Sequence, residues 1–170
     1  MKAPDERAAC SETLSFRREA RPADHQAVRA LVESTGFFSP AEILVAVELV
    51  DERMAKGDAS GYHFVFAEAE GRLLGFSCYG PIPATAASFD LYWIVVRKER
   101  QRSGIGRALL AESERRIRAA GGRRIYADTS SRPQYAPTRA FYEKHAYHQA
   151  AHLEDFYAPG DGKVIYLKVL

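Results

Sequence analysis

The stretch Arg100-Gln101-Arg102-Ser103-Gly104-Ile105-Gly106-Arg107 sets three arginines around two glycines, directly ahead of an apolar run that starts at Ala108. Glycine lets backbone N–H groups approach a ligand with no Cβ in the way. A helix beginning there aims its unpaired amides and its dipole at the same point. The chemistry served by such a turn is the binding of an anion, usually a phosphate. Upstream, Asp90 lies between Phe89 and Leu91, close to Trp93. A carboxylate among apolar neighbours takes a raised pKa, which suits it to accept a proton near neutral pH.

The type of phosphate turn is narrowed by what is missing. Gly104 and Gly106 supply the first two glycines of G-x-G-x-x-G, but Leu109 stands where the third belongs, and no ribose-binding acid follows at the required distance. The P-loop pattern G-x-x-x-x-G-K-S/T is absent.

The elements that must position these residues follow from periodicity. Leu14 and Phe16 alternate with polar neighbours in a first strand. Ala27, Val28, Leu31 and Val32 fall at helical spacing, closed by Gly36. Ser39, Pro40 and Glu42 form a capping box and first turn for a second helix, through Ile43, Val47, Val50 and Met54 to Gly57. Residues 62–71 and 72–80 read as a hairpin turning at Glu70-Gly71, and the β-branched and aromatic run 88–96 as a central strand. A helix with Ile105, Ala108, Leu109 and Ile117 facing inward stops at Gly121-Gly122. A strand over 123–130, a short helix over 138–147 and a closing hairpin with its turn at 159–162 complete the chain.

The order β-α-α-β-β-β-α-β-α-β-β predicts an α/β protein of the mixed-sheet, α+β kind. Its single strand–helix–strand crossover, residues 88–129, makes two strands parallel and puts the glycine turn at their carboxyl end. Period-two alternation places Asp90, Tyr92, Ile94 and Val96 on one face. Residues 1–12 read as a disordered tail and 13–170 as one domain.

A net charge of +2 over 170 residues provides no global basic field, so nucleic acid is disfavoured as a partner. Cys10 and Cys78 do not suggest a disulfide, nothing has metal-ligand spacing, and Cys78 reads as a small core hydrophobe. The N-terminus lacks the apolar stretch of a signal peptide, and no run approaches the roughly 20 apolar residues of a membrane span. A cytoplasmic protein is expected, without metal and without membrane association.

Gln101-Arg102-Ser103-Gly104-Ile105-Gly106 resembles the Q/R-x-x-G-x-G/A signature of the GNAT superfamily of acetyl-CoA-dependent N-acetyltransferases, set as in that family between a hydrophobic strand and an amphipathic helix. The run Thr138 to Tyr147 is close to a second family signature, A-x-x-F-Y-E-K-x-G-F, and the element order from about residue 14 to 170 is similar too. The resemblance implies acetyl-CoA as co-substrate and transfer of its acetyl group to a primary amine. Backbone amides from Arg102 through Ser103, Gly104, Ile105 and Gly106 to Arg107 then converge on a pyrophosphate, with Gln101 at the start of the motif. Arg97, Lys98, Arg100 and Arg102 are placed to meet further phosphate charge. The family's oxyanion donor falls on the N–H of Ile94, and its pantetheine contact on Val96. Tyr142 takes the place of the family's general acid, with Phe141 expected to turn the other way into the core. Asp90 stands where some members carry a glutamate base; one methylene shorter, it is expected to act through water, with Glu48 and Asp155 as other possible bases. Two positions depart from the family pattern: Tyr135 replaces an asparagine that helps bind pantetheine, and Ala146 replaces the usual glycine.

For the acceptor, the resemblance directs attention to Phe37, Tyr79, Tyr92, Arg132 and Asp155, aromatic and charged groups that suit a small cationic amine such as an amino acid. Two other readings stand beside this one: a protein N-terminal or lysine acetyltransferase with an open groove, and a non-catalytic acyl-CoA-binding sensor. By analogy with the family, a homodimer through a sheet edge is also in view, the long apolar last strand offering the edge.

Overall fold

The computed structural model describes residues 13–170. Cys10 and the expected disordered tail lie outside the described residues. Seven strands and four helices run in the order read from the sequence: β1 (Ser15–Arg17), α1 (Asp24–Thr35), α2 (Pro40–Lys56), β2 (His63–Ala69), β3 (Arg72–Pro81), β4 (Ser88–Val96), α3 (Ile105–Ala119), β5 (Arg124–Ser130), α4 (Ala136–Lys144), β6 (His148–Ala158) and β7 (Asp161–Val169). They form one sheet of order β1-β2-β3-β4-β5-β7-β6, in which β4 and β5 are parallel and the other neighbours antiparallel.

Local chemistry accounts for the element ends. The Ser39 hydroxyl accepts from the Glu42 N–H, and the Glu42 carboxylate accepts from the Ser39 N–H at 2.7 Å, so two orphan donors at the start of α2 are satisfied reciprocally. Ser39→Ala is expected to cost about 1 kcal/mol, read as a drop of roughly 2–4 °C in Tm. The β2–β3 turn uses Glu70 (φ 51°) and Gly71 (φ 73°), the doubly left-handed pair of a two-residue hairpin. The departure at Ala146 has a visible consequence: Ala146 sits at φ 66°, a conformation that glycine adopts without Cβ strain.

Each face of the sheet carries its own core. Val28, Leu31 and Val32 of α1 and Ala46 and Val50 of α2 bury Phe64, Phe66, Phe76, Cys78 and Val95 on one face. On the other, Leu109, Leu110 and Ile117 of α3 and Tyr142 of α4 bury Val65, Ala67, Leu91, Ile125, Ala127 and Tyr166. Cys78 is a buried free thiol, as its apolar surroundings suggested.

Two expectations are corrected here. The register along β4 slips by one residue: Cys78 pairs with Trp93 but Tyr79 pairs with Leu91, which leaves Tyr92 as the extra residue of a β-bulge. Before the bulge Phe89 and Leu91 face α3; after it Ile94 and Val96 do, while Trp93 and Val95 face α1. Asp90 and Tyr92 therefore do not share a face with Ile94 and Val96, because one added residue reverses a period-two pattern. Second, the last strand, β7, lies between β5 and β6 and offers no edge for a dimer; the edge strands are β6 and, at the other end, β1.

Candidate active site

The site begins where two parallel strands part. β4 pairs with β5 only from Ser88 to Asp90, against Arg124 to Tyr126, while β5 runs on beside β7 to Ser130. Beyond Asp90 the strands diverge and leave a gap. The Arg97 N–H donates to the Leu74 carbonyl of β3 at 2.9 Å. Strand alternation therefore turns the N–H groups of Val96 and Ile94 away from β3, into the gap. On the facing strand the buried Thr129 hydroxyl has no hydrogen-bond partner, another polar group at this gap that a ligand can satisfy.

The glycine turn lies at the carboxyl end of β4. A 3₁₀ turn over Lys98–Arg100 leads into Arg102 at φ 63° and Gly104 at φ 89°, both left-handed. The first carbonyl of α3 to accept within the helix is that of Gly104, from the Ala108 N–H at 3.0 Å, and no side chain caps the helix. The amides of Ile105, Gly106 and Arg107 are thus orphan donors presented to solvent-side space. A Cβ at Gly106 would stand 3.5 Å from Phe141 Cε2 and 3.6 Å from Val96 Cγ2, so the bare glycine keeps open the space beside the end of β4. These features fit a pyrophosphate held by backbone donors. Ile105 contributes through its backbone alone, since its side chain is buried in the core. Arg102 and Arg107 are exposed and form no ion pair among the described residues. Gln101 reaches back to the Val96 carbonyl at 3.3 Å, and the Ser103 hydroxyl donates to the Arg100 carbonyl at 2.6 Å; both shape the turn.

The two aromatics of α4 exchange their expected places. Tyr142 is the deep one, 4% exposed and in ring contact with Tyr147 and Tyr166, whereas Phe141 is half-buried at the rim against Gly106 and Val96. A nine-residue helix must bury one stripe, and here that stripe passes through Tyr142. Burial raises the Tyr142 phenol, and the charge of Asp128 raises it further. Asp128 belongs to the alternate set of β5 whose neighbours Ile125 and Ala127 are buried on the α3 side, so its influence reaches Tyr142 from the other side of the sheet.

That side holds a cavity of about 360 Å³ lined by Ser88, Asp90, Tyr126, Asp128, Lys163 and Ile165, among others. Burial raises the Asp90 carboxyl above its ordinary value; Asp128 adds to the rise and Lys163 opposes it. Lys163 forms an ion pair with Asp128 and stands 4.9 Å over the Phe156 ring. Sequence reasoning passed over Asp128 and Lys163. The available signal was the parallel pairing of β4 with β5, which sets Asp90 against Tyr126 and so brings Asp128 within one step of it.

The acceptor-side residues divide. Phe37, in the α1–α2 loop, meets Tyr135 edge-on at 4.5 Å, and Arg132 lies over the same Tyr135 ring while pairing with Asp161 at 3.0 Å. Phe37 and Arg132 therefore meet on one ring, that of the residue that replaces the family's asparagine. Tyr92 is half-exposed on the bulge, 5.5 Å from Tyr62, with its phenol pushed up to about 12 by burial first and then by Asp90. Tyr79 is not at the site: it is buried on the α3 side, within reach of Glu112 and Arg116. Asp155 is occupied locally, its carboxylate accepting from the Gly160 N–H at 2.7 Å to hold the β6–β7 turn.

Comparison with known proteins bears on this geometry. The family model described as Acetyltransferase (GNAT) family matches residues 21–147. A crystal structure assigned to the GNAT family, from Desulfovibrio desulfuricans, is 52% identical and superposes with a TM-score of 0.91, over 92% of this chain and 99% of that one. YuaI of Bacillus subtilis, an uncharacterized N-acetyltransferase, is 45% identical over 51 residues, 29% of this chain; the match spans 30% of that curated relative's length. PaiA N-acetyltransferase of Thermoplasma acidophilum, solved in complex with coenzyme A, has the same fold at 19% identity, with a TM-score of 0.72 over 93% of this chain and 99% of that one. With the family's pattern matched over three quarters of the sequence, and a glycine turn set at the end of a strand that leaves its parallel neighbour, the chain belongs to the GNAT family of acetyltransferases.

Proposed function

We propose that this protein transfers the acetyl group of acetyl-CoA to a primary amine of a small molecule, in the cytoplasm. The observation that carries the reading is the gap where β4 leaves β5: Asp90 stands at its start, the N–H groups of Ile94 and Val96 open into it, and the glycine turn follows at the end of β4. The pyrophosphate of the substrate rests on the amides from Arg102 to Arg107, and the pantetheine arm lies along Val96. The acceptor amine approaches from the Asp90 side and attacks the thioester carbonyl. As the C–N bond forms, negative charge collects on the carbonyl oxygen and is met by the Ile94 N–H. The attacking nitrogen gives up a proton to Asp90 through water, the C–S bond breaks, and the thiolate takes a proton from the Tyr142 hydroxyl.

The test follows free-thiol release from acetyl-CoA across amino acids, polyamines, aminoglycosides and short peptides, with coenzyme A binding measured separately by calorimetry. A small amine that stimulates thiol release is the expected result. Release with peptides alone moves the acceptor class to proteins. Binding without turnover by any amine supports the sensor reading, and failure to bind coenzyme A overturns the assignment of the glycine turn.

A further inference from the structure

Three charged side chains from three different strands line the cavity on the acceptor side: Asp90 of β4, Asp128 of β5 and Lys163 of β7. Asp128 is two residues beyond Tyr126, the register partner of Asp90, and it lies where β4 begins to leave β5. Lys163 is opposite Ser130 in the β5–β7 ladder, and its ammonium reaches back to the Asp128 carboxylate. Its stem is largely covered, with 20% of the side chain exposed against 39% for Asp128. Ile82 and Ile165 supply apolar wall; Tyr92, Tyr126 and Tyr157 stand around the cluster, with Asp161 acting on Tyr157 and Tyr142 feeling the charge of Asp128. Two carboxylates and one ammonium leave the cavity one net negative charge, which suits the cationic form of an amine.

We propose that Asp128 and Lys163 are a positioning pair for Asp90, in which Asp128 makes Asp90 a better proton acceptor and Lys163, according to which carboxylate it faces, holds that effect in check. The proposal rests on the reading of Asp90 as the base. Two like charges across a parallel ladder disfavour ionisation of both, so the carboxylate without a cation is the one that takes a proton readily. In the structure Lys163 is committed to Asp128, and Asp90 is the one left without it. Burial, then Asp128, pushes the Asp90 carboxyl up, with Lys163 acting in the opposite sense. An acceptor arriving as an ammonium is attracted to both carboxylates and gives its first proton to bulk water. The neutral amine then attacks the thioester, and the proton shed from nitrogen as the C–N bond forms passes through water to the Asp90 oxygen.

The experiment titrates Asp90 by its side-chain carboxyl ¹³C shift in the whole protein without substrates, beside the acid limb of kcat/KM. Asp128→Asn is expected to move the Asp90 midpoint down by about one pH unit, because it removes the like charge and frees Lys163 to turn to Asp90. Lys163→Met is expected to move it up by a comparable amount, and Lys163→Arg, which keeps the charge, to leave it near the wild-type value. The acid limb of kcat/KM should follow the same opposite directions. Midpoints that stay put, or that move the same way in the first two variants, overturn the proposal. Asp90→Asn separates it from the reading beneath it: an acid limb that survives in this variant removes Asp90 as base, while the carbon titration still decides whether the pair acts on Asp90.

Discussion

Replacing Tyr142 with phenylalanine is expected to lower kcat by about 10²–10⁴-fold while leaving the dissociation constant of coenzyme A unchanged. The loss corresponds to roughly 3–5 kcal/mol of transition-state stabilisation, the range of a positioned proton donor. The structure makes the substitution a clean one. The Tyr142 ring packs on Tyr166 at 5.6 Å, Tyr147 at 5.4 Å and Phe141 at 5.7 Å, and phenylalanine keeps all three contacts. Its hydroxyl makes no hydrogen bond among the described residues, so removing it leaves no partner stranded. A small change in Tm together with a large fall in kcat is therefore the signature of a proton donor. Equal losses of stability and activity would reduce Tyr142 to a packing residue. The phenol also has a pH signature. Burial holds it above the ordinary tyrosine range, so the neutral, donating form persists to higher pH than in an exposed tyrosine. The alkaline fall in kcat due to Tyr142 should accordingly lie above pH 10, and no alkaline limb from this residue should remain in Tyr142→Phe.

The second large effect is on stability and lies outside the site. Arg17→Met is expected to destabilise the fold by about 3–5 kcal/mol, a fall in Tm of roughly 6–20 °C. Arg17 on β1 is 9% exposed; its guanidinium pairs with Asp24 at the start of α1 at 2.8 Å and with Glu68 of β2 at 2.6 Å, above the Phe66 ring at 4.4 Å. Removing the cation leaves a carboxylate that is 5% exposed without its charge partner. That penalty, more than any attraction lost, accounts for the size of the effect. Replacing Arg17, Asp24 and Glu68 together with apolar residues should recover a substantial part of it, which urea denaturation of the single and triple variants will measure. Breaking the exposed pair Arg18–Glu19, by contrast, should leave the urea midpoint essentially unchanged.

Local and periodic features were legible in the chain. Ser39, Pro40 and Glu42 lie within one helical turn, so their capping box was visible before any folding was considered. The glycine turn was equally plain, because left-handed backbone at Gly104 and orphan amides at a helix start are properties of a few consecutive residues. The parallel crossover followed from one strand–helix–strand unit and its required handedness.

Other expectations failed where the outcome depended on partners distant in sequence. Tyr79 carries the right chemistry for an acceptor site, but its face is set by pairing with Leu91, which commits it to the core under α3. The places of Phe141 and Tyr142 were decided by which stripe of α4 met Tyr147 and Tyr166. Asp128 had no motif around it, and Lys163 lay in a hairpin read only as a closing element.

The sequence by itself determined the order of elements, the caps and turns that end them, and the glycine turn with its uncapped helix start, because each is encoded within one or two turns of chain. Only the tertiary structure decided that Tyr92 is a bulge, that β7 inserts between β5 and β6, and that Asp90, Asp128 and Lys163 share one cavity. A one-residue slip in register reverses every side chain beyond it, and whether the slip occurs is settled by the neighbouring strand rather than by the strand that carries it.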